Sequence, residues 1–164
     1  MKQEIEDILA FFARSRKRMS YETIDERLEQ ALDDGSKLIG PYQEDINGRV
    51  FEFFDKYHIF EDEEFEGRET VSINGVEKWF REYHGLFVDK SFVAKAQEVF
   101  EILKKGMKCF PMQEPQKRGA TRIKLNDYSY EDSCEGTFSS YHGIEKIFYK
   151  GKQIYELVYF GQLT

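Results

Sequence analysis

The spacing of apolar and polar positions changes period along this chain. Near the start, Ile5, Ile8, Leu9 and Phe12 recur at i, i+3, i+4 and i+7, one stripe of a helix over residues 2–14. Ile24, Leu28, Ala31 and Leu32 make a second stripe, predicting a helix over 21–34. Ser20 or Thr23 would cap its start, and Gly35 would follow its end. Gly40-Pro41 and Asn47-Gly48 are turn signals. Residues 49–60, rich in Phe and Tyr, read as one or two strands. Phe92, Ala96, Val99, Phe100 and Leu103 return to helical spacing. They predict a helix over 90–105, capped by Asp89, with Lys104 and Lys105 in its last turn and Gly106 as its stop. Residues 106–120, with Pro111, Pro115 and Gly119, read as a long connection. Strand patterns follow at 121–125 and 127–133.

The stretch Phe65–Gly85 recurs, shifted by 76 positions without a gap, as Tyr141–Gly161. Gly67 meets Gly143, Glu69 meets Glu145, Gly75 meets Gly151, Tyr83 meets Tyr159 and Gly85 meets Gly161. Asn74-Gly75 and Lys150-Gly151 stand where a hairpin must reverse, and glycine there supplies positive φ. For Val71 to share a face with Trp79, and Ile147 with Tyr155, the reversal needs an odd loop or a bulge; a three-residue loop is the expectation. Gly85 and Gly161 predict a sharp turn or a close backbone approach.

These elements predict an α+β fold. Its antiparallel β-sheet would be built from two similar hairpin units, around 50–85 and 121–162, related by an approximate two-fold. Two N-terminal helices and a connecting helix near 90–105 complete it. The expected division is a single domain, 1–164, with an N-terminal helical pair at 1–36, a first β unit at 49–86 and a second at 121–163.

Strand parity singles out one carboxylate per copy. Glu69 has the parity of Phe65, Val71 and Ile73, and Glu145 that of Tyr141, Ile147 and Tyr149. A carboxylate on an apolar face is costly unless paired or hydrogen-bonded. Either it anchors a ligand or moves a proton, with Trp79 and Tyr83 or Tyr155 and Tyr159 lining the pocket. Or it accepts structural hydrogen bonds from a tyrosine hydroxyl, an indole N–H or a loop amide. Presence in both copies favours the structural role. Trp79, the single tryptophan, reads as core first and as a stacking platform second. The candidate ligand-binding set is therefore Glu69, Trp79, Tyr83, Glu145, Tyr155 and Tyr159, with no catalytic residue named.

Composition narrows the function classes. Fifteen Phe and ten Tyr among 164 residues supply large side chains for a core. A net charge of −7 argues against a broad nucleic-acid footprint. The second stripe's own acids, Glu22, Asp25, Glu26, Glu29, Asp33 and Asp34, would repel phosphates in a helix-turn-helix. Arg14, Arg16, Lys17 and Arg18 read as cations at a helix C-terminus, and Glu61–Glu64 as a solvated turn. Residues 1–18 lack the continuous apolar centre of a signal peptide, and a soluble cytoplasmic protein is expected. Cys109 and Cys134 read as free thiols. His58, His84 and His142 have no metal-ligand spacing, and neither a metal nor a cofactor is expected.

Phe65-Glu66-Gly67-Arg68-Glu69-Thr70-Val71, Trp79 and Tyr83-His84-Gly85 resemble the bacterial domain of unknown function 5680. So do Asp127-Tyr128-Ser129-Tyr130, Glu135-Gly136, Gly143–Ile147 and Tyr155-Glu156, a match over roughly residues 50–163. Such domains are often joined to a repressor-type helix-turn-helix, which implies a regulatory or sensing role. This chain departs there, because its N-terminal stripes are few and acidic. Three readings stand in order. The first is a non-enzymatic ligand-binding or sensor domain. The second is an interaction module, immunity- or antitoxin-like, for a basic partner. The third is a glutamate-dependent hydrolase or isomerase. The partner expected is a small molecule or a protein, a second copy of the chain included, with no membrane and no direct nucleic-acid contact.

Overall fold

The computed structural model describes residues 2–19, without the side chain of Met19, and residues 29–164. Among the described residues nine strands make one antiparallel sheet, with helices against one face. The strands are β1 (Glu29–Ala31), β2 (Lys37–Ile46), β3 (Arg49–Ile59), β4 (Phe65–Ile73) and β5 (Val76–Phe87), then β6 (Arg122–Leu125), β7 (Tyr128–Thr137), β8 (Ser140–Tyr149) and β9 (Lys152–Leu163). Helix α1 (Lys2–Met19) precedes them, and α2 (Ala96–Lys108) follows β5 through a 3₁₀ turn at Lys90–Lys95. The sheet order is β1-β2-β3-β4-β5-β9-β8-β7-β6. Two meanders, β2–β5 and β6–β9, thus meet through their last strands, with Tyr83 directly opposite Tyr159.

Several expectations are corrected. Of the second helix expected at 21–34, residues 21–28 lie outside the described residues. From Glu29 the chain is the short strand β1 and a turn, so no helix reaches residue 34. The two repeated stretches form the hairpins β4–β5 and β8–β9, but each β region holds three or four strands in all rather than a hairpin alone. Asn74-Gly75 is a two-residue turn with both φ positive, 50° and 75°, because Ile73 pairs with Val76. The parity of Val71 and Trp79 is restored by a bulge between Val71 and Ser72. Lys150-Gly151 repeats this, with the shift between Ile147 and Phe148. Gly40-Pro41 lies inside β2, at the register shift between Ile39 and Tyr42. Gly106 does not stop α2. It is buried within the helix, where a Cβ would come within 2.5 Å of the Tyr130 ring.

The core lies between the sheet and the helices. Ile8, Phe11 and Phe12 of α1 are buried. Phe12 meets Trp79 with ring centroids 4.2 Å apart, and Trp79 stacks on Phe138 at 5.6 Å. From α2, Phe100 meets Phe65 and Tyr155 edge-on. Tyrosine rings also lie across strand glycines. An added Cβ on Gly67 would fall 2.2 Å from Tyr83, and one on Gly143 2.2 Å from Tyr159. Of the two expectations for Gly85 and Gly161, the close approach is the one realised: a Cβ there would meet the hydroxyls of Tyr155 and Tyr141. Glycine lets these rings lie flat on the sheet and fill the space beneath the helices.

Candidate functional site

Alternation along the strands places Asp55, Glu69, Arg81 and Tyr83 on the helix-covered face. The pairings Asp55–Glu69 and Glu69–Arg81 set three ionisable groups in one row. Glu69 is 2% and Arg81 0% exposed. Arg81 Nε donates to Glu69 Oε2, and Arg81 Nη1 donates to the Gln116 carbonyl at 3.3 Å. In the other meander Glu145 lies opposite Leu157, which carries no charge. Its cation is Arg118, from the connection between α2 and β6, whose Nε donates to Glu145 Oε2 at 2.7 Å. Tyr130 donates to the other Glu145 oxygen. The partners of the two glutamates are therefore chiefly arginines: Arg81 carries the parity of Trp79 and Tyr83, while Arg118 lies outside any strand.

Two aspartates extend the cluster. Tyr83 donates to Asp55 Oδ1 at 2.7 Å, and Tyr159 donates to Asp132 Oδ1 at 2.8 Å. The Gly119 amide donates to Asp132 Oδ2 at 3.0 Å. Arg16 of α1 secures the connection by donating to the carbonyls of Pro115, Lys117 and Arg118. Its guanidinium lies 3.9 Å from the Phe110 ring. The basic cluster at the end of α1 thus divides. Arg14 and Arg18 pair with Glu44 at the surface, while Arg16 is 4% exposed.

Burial and the neighbouring charges set the ionisation of these groups. Burial pushes Asp55 up to about 7, with repulsion from Glu69 adding to it and the Tyr83 hydrogen bond opposing. Burial, with Glu145 beside it, likewise pushes Asp132 up to about 6. Burial also raises Glu69, but attraction to Arg81 and Arg118 outweighs it and holds this carboxyl below its usual range. Arg16 is drawn down to about 9, first by burial and then by Arg81.

Since the folded state holds a proton on Asp55 that the unfolded chain releases, stability drains away as pH rises from near 4 through about 7. Asp55→Asn keeps an acceptor for Tyr83 and carries no charge. Urea unfolding should show a gain on the order of 2 kcal/mol at pH 8, shrinking to nothing near pH 4. Equal effects at both pH values would contradict the burial of an ionisable Asp55.

Two concave regions flank this cluster. A cavity of about 280 Å³ opens beneath α2, with apolar walls from Ile39, Phe65, Phe100, Leu103 and Met107. Its most buried lining residues include Asp55, Tyr83 and Arg118; Glu29, Gln97 and Glu101 lie at its exposed rim. Arg118 is 3% exposed, its guanidinium sits 4.4 Å from the Tyr83 ring, and its Nη1 has no hydrogen-bond partner among the described residues. On the opposite face of the sheet a broad groove of about 1140 Å³ is lined by His58, His84, His142, Arg68, Val158 and Phe160, among others. Among the described residues, no group of three or more His, Cys, Asp or Glu is placed to hold a metal ion. No helix among them is long and apolar enough to cross a membrane.

The six candidates read from strand parity divide among these places, and only some of them line a cavity. Tyr83 lines both concave regions and Tyr159 the outer groove. Glu69 and Glu145 line neither, each being held by its arginine. Trp79 is 0% exposed among Phe12 and Phe138. Tyr155 is 0% exposed and packs on Phe87. Asp55 and Arg118 are not among the six. Asp55 has the parity of Phe51 and Phe53, so it carries the same signal as Glu69; Arg118 sits in an irregular segment that has no parity.

The family described as Domain of unknown function (DUF5680) matches residues 55–163. No curated protein and no solved structure matches the chain.

Proposed function

The chain belongs to the DUF5680 family, and from that premise we propose that it is a non-enzymatic small-molecule-binding domain whose site is the cavity beneath α2. The observation that carries this reading is the cavity's polar end. There the Asp55 carboxyl and the Tyr83–Arg118 pair close a pocket whose walls include Ile39, Phe65, Phe100 and Leu103 and whose rim is charged, with Arg118 Nη1 unpartnered among the described residues. A few convergent polar groups at the end of an apolar cavity are the usual form of a ligand site. A sensing role in a bacterial cytoplasm is part of this reading, and ligand uptake between α2 and the sheet would couple to the connection that carries Arg118. The glutamate of each copy then serves as the counter-ion that orients an arginine. The arrangement Tyr83 opposite Tyr159, with Gly67 and Gly143 flanking, supports reading the two β regions as related units. The hydrolase or isomerase reading loses support, because Arg81 keeps Glu69 ionised.

Ile59 lines the cavity and is 40% exposed, so Ile59→Trp narrows the pocket without touching the core. Ligand-observed NMR with a fragment panel should find binders whose signals vanish with Ile59→Trp, while the unfolding midpoint stays within about 0.5 kcal/mol of the parent. Binders indifferent to this substitution would rule the cavity out.

A second reading, an interaction module, is favoured by Val158 and Phe160, 45% and 46% exposed at the outer groove. Native pulldown of a basic partner, lost on Phe160→Ser, would support it.

A further inference from the structure

Resting on the cavity reading above, we infer that its ligand is a small carboxylate, with one oxygen taken by Arg118 and the other by the Asp55 carboxyl. Three observations converge. Arg118 spends Nε on Glu145 and Nη2 on Met107 Sδ, leaving Nη1, a buried donor, without an acceptor among the described residues. Asp55 Oδ1 accepts from Tyr83, while Oδ2 makes no hydrogen bond to the described residues. Arg118 lies on the Tyr83 ring, whose hydroxyl meets Asp55, and both line the cavity, so one arginine N–H and one carboxyl O–H are available to the two oxygens of a single carboxylate.

The surrounding charges choose the sign of the ligand. Three guanidiniums, Arg16, Arg81 and Arg118, stand in this cluster against Glu69, Glu145 and Asp132, and of these groups it is Arg118 that lines the cavity. An ammonium ligand would meet their repulsion and find no free acceptor on Arg118. A phosphate dianion would bring more oxygens than there are donors, close to Glu69 and Glu145. The apolar walls suit a short hydrocarbon or aromatic body.

Binding must then follow pH. Facing Asp55 are Glu69 on β4, Arg81 and Tyr83 on β5, and Arg118 on the connection. Glu29 of β1, Lys37 of β2, Tyr57 of β3, and Glu101 and Lys104 of α2 line the same cavity. Burial and Glu69 already hold a proton on Asp55 to about pH 7, and a second carboxylate beside it strengthens that hold. Raising the pH strips the proton and sets two negative carboxylates against each other.

The probes are phenylacetate, benzyl alcohol and benzylamine, titrated by NMR into the full chain at pH 6 and pH 8. Phenylacetate should bind in preference to the other two, with Kd rising about tenfold between these pH values. Asp55→Asn, which offers a permanent N–H, should bind phenylacetate with the same Kd at both. Preference for the alcohol or the amine in an Ile59→Trp-sensitive manner overturns the carboxylate assignment and leaves the cavity standing. A pH-independent Kd in the parent protein also overturns it. Failure of all three probes to bind counts against the cavity itself.

Discussion

Glu69→Gln is expected to destabilise the fold by about 3–5 kcal/mol, measured by urea unfolding at pH 7. Arg81 would remain, 0% exposed, with the Gln116 carbonyl and a neutral amide in place of its counter-ion. Removing one partner of a buried pair leaves a charge whose desolvation nothing offsets. The pair itself contributes much less, because its mutual attraction mostly repays the cost of taking both ions out of water. The double variant Glu69→Leu, Arg81→Met should therefore recover most of the loss, through strong non-additivity between touching residues. If Glu69→Gln costs less than about 1 kcal/mol, Arg81 finds solvent or another anion and the buried pair is not what holds the centre of the sheet.

Trp79→Ala should cost about 3–5 kcal/mol, with the loss seen as a lowered unfolding midpoint at every pH. The indole is 0% exposed, 4.2 Å from Phe12 and stacked on Phe138 at 5.6 Å. Its removal opens a void that α1 and the Phe138 segment can only partly close. The same experiment separates the two roles that the sequence allows. A stacking platform would lose ligand and keep stability. A core residue loses stability, and binding of phenylacetate to the fraction that remains folded should hold its Kd. Neither concave region is lined by Trp79, so the second outcome is the expected one.

Much of the sheet is legible in the sequence because its signals are local. Asn-Gly and Lys-Gly reversals, aromatic strands and the spacing Phe92–Leu103 each involve neighbours along the chain; strands form where they predict, while the helix expected at 90–105 opens as a 3₁₀ turn at Lys90–Lys95 and is α-helical over Ala96–Lys108. The loop length is not legible, because a bulge and an odd loop satisfy the same parity. Only the pairing of Ile73 with Val76 distinguishes them. The helix expected at 21–34 fails over residues 29–34 for a different reason. Ala31 and Leu32 fit a helical stripe, but Glu29–Ala31 pairs with Lys37–Ile39 at the sheet edge, and tertiary pairing overrides so weak a propensity. Gly106 looks like a stop, yet its missing side chain serves the packing of Tyr130.

The recurring stretch Phe65–Gly85 and Tyr141–Gly161 determined, by alternation alone, that Glu69 and Glu145 face inward with the aromatics. Period two is a property of the extended backbone and needs no knowledge of the rest of the molecule. What those carboxylates do there was decided only by tertiary structure. Arg81 reaches Glu69 from the neighbouring strand. Arg118 reaches Glu145 across 27 residues, and Arg16 reaches the same connection from 99 to 102 residues away. Contacts of that range leave no spacing in the sequence, because the chain between them closes its loop at an entropic cost that hardly depends on which residues it contains.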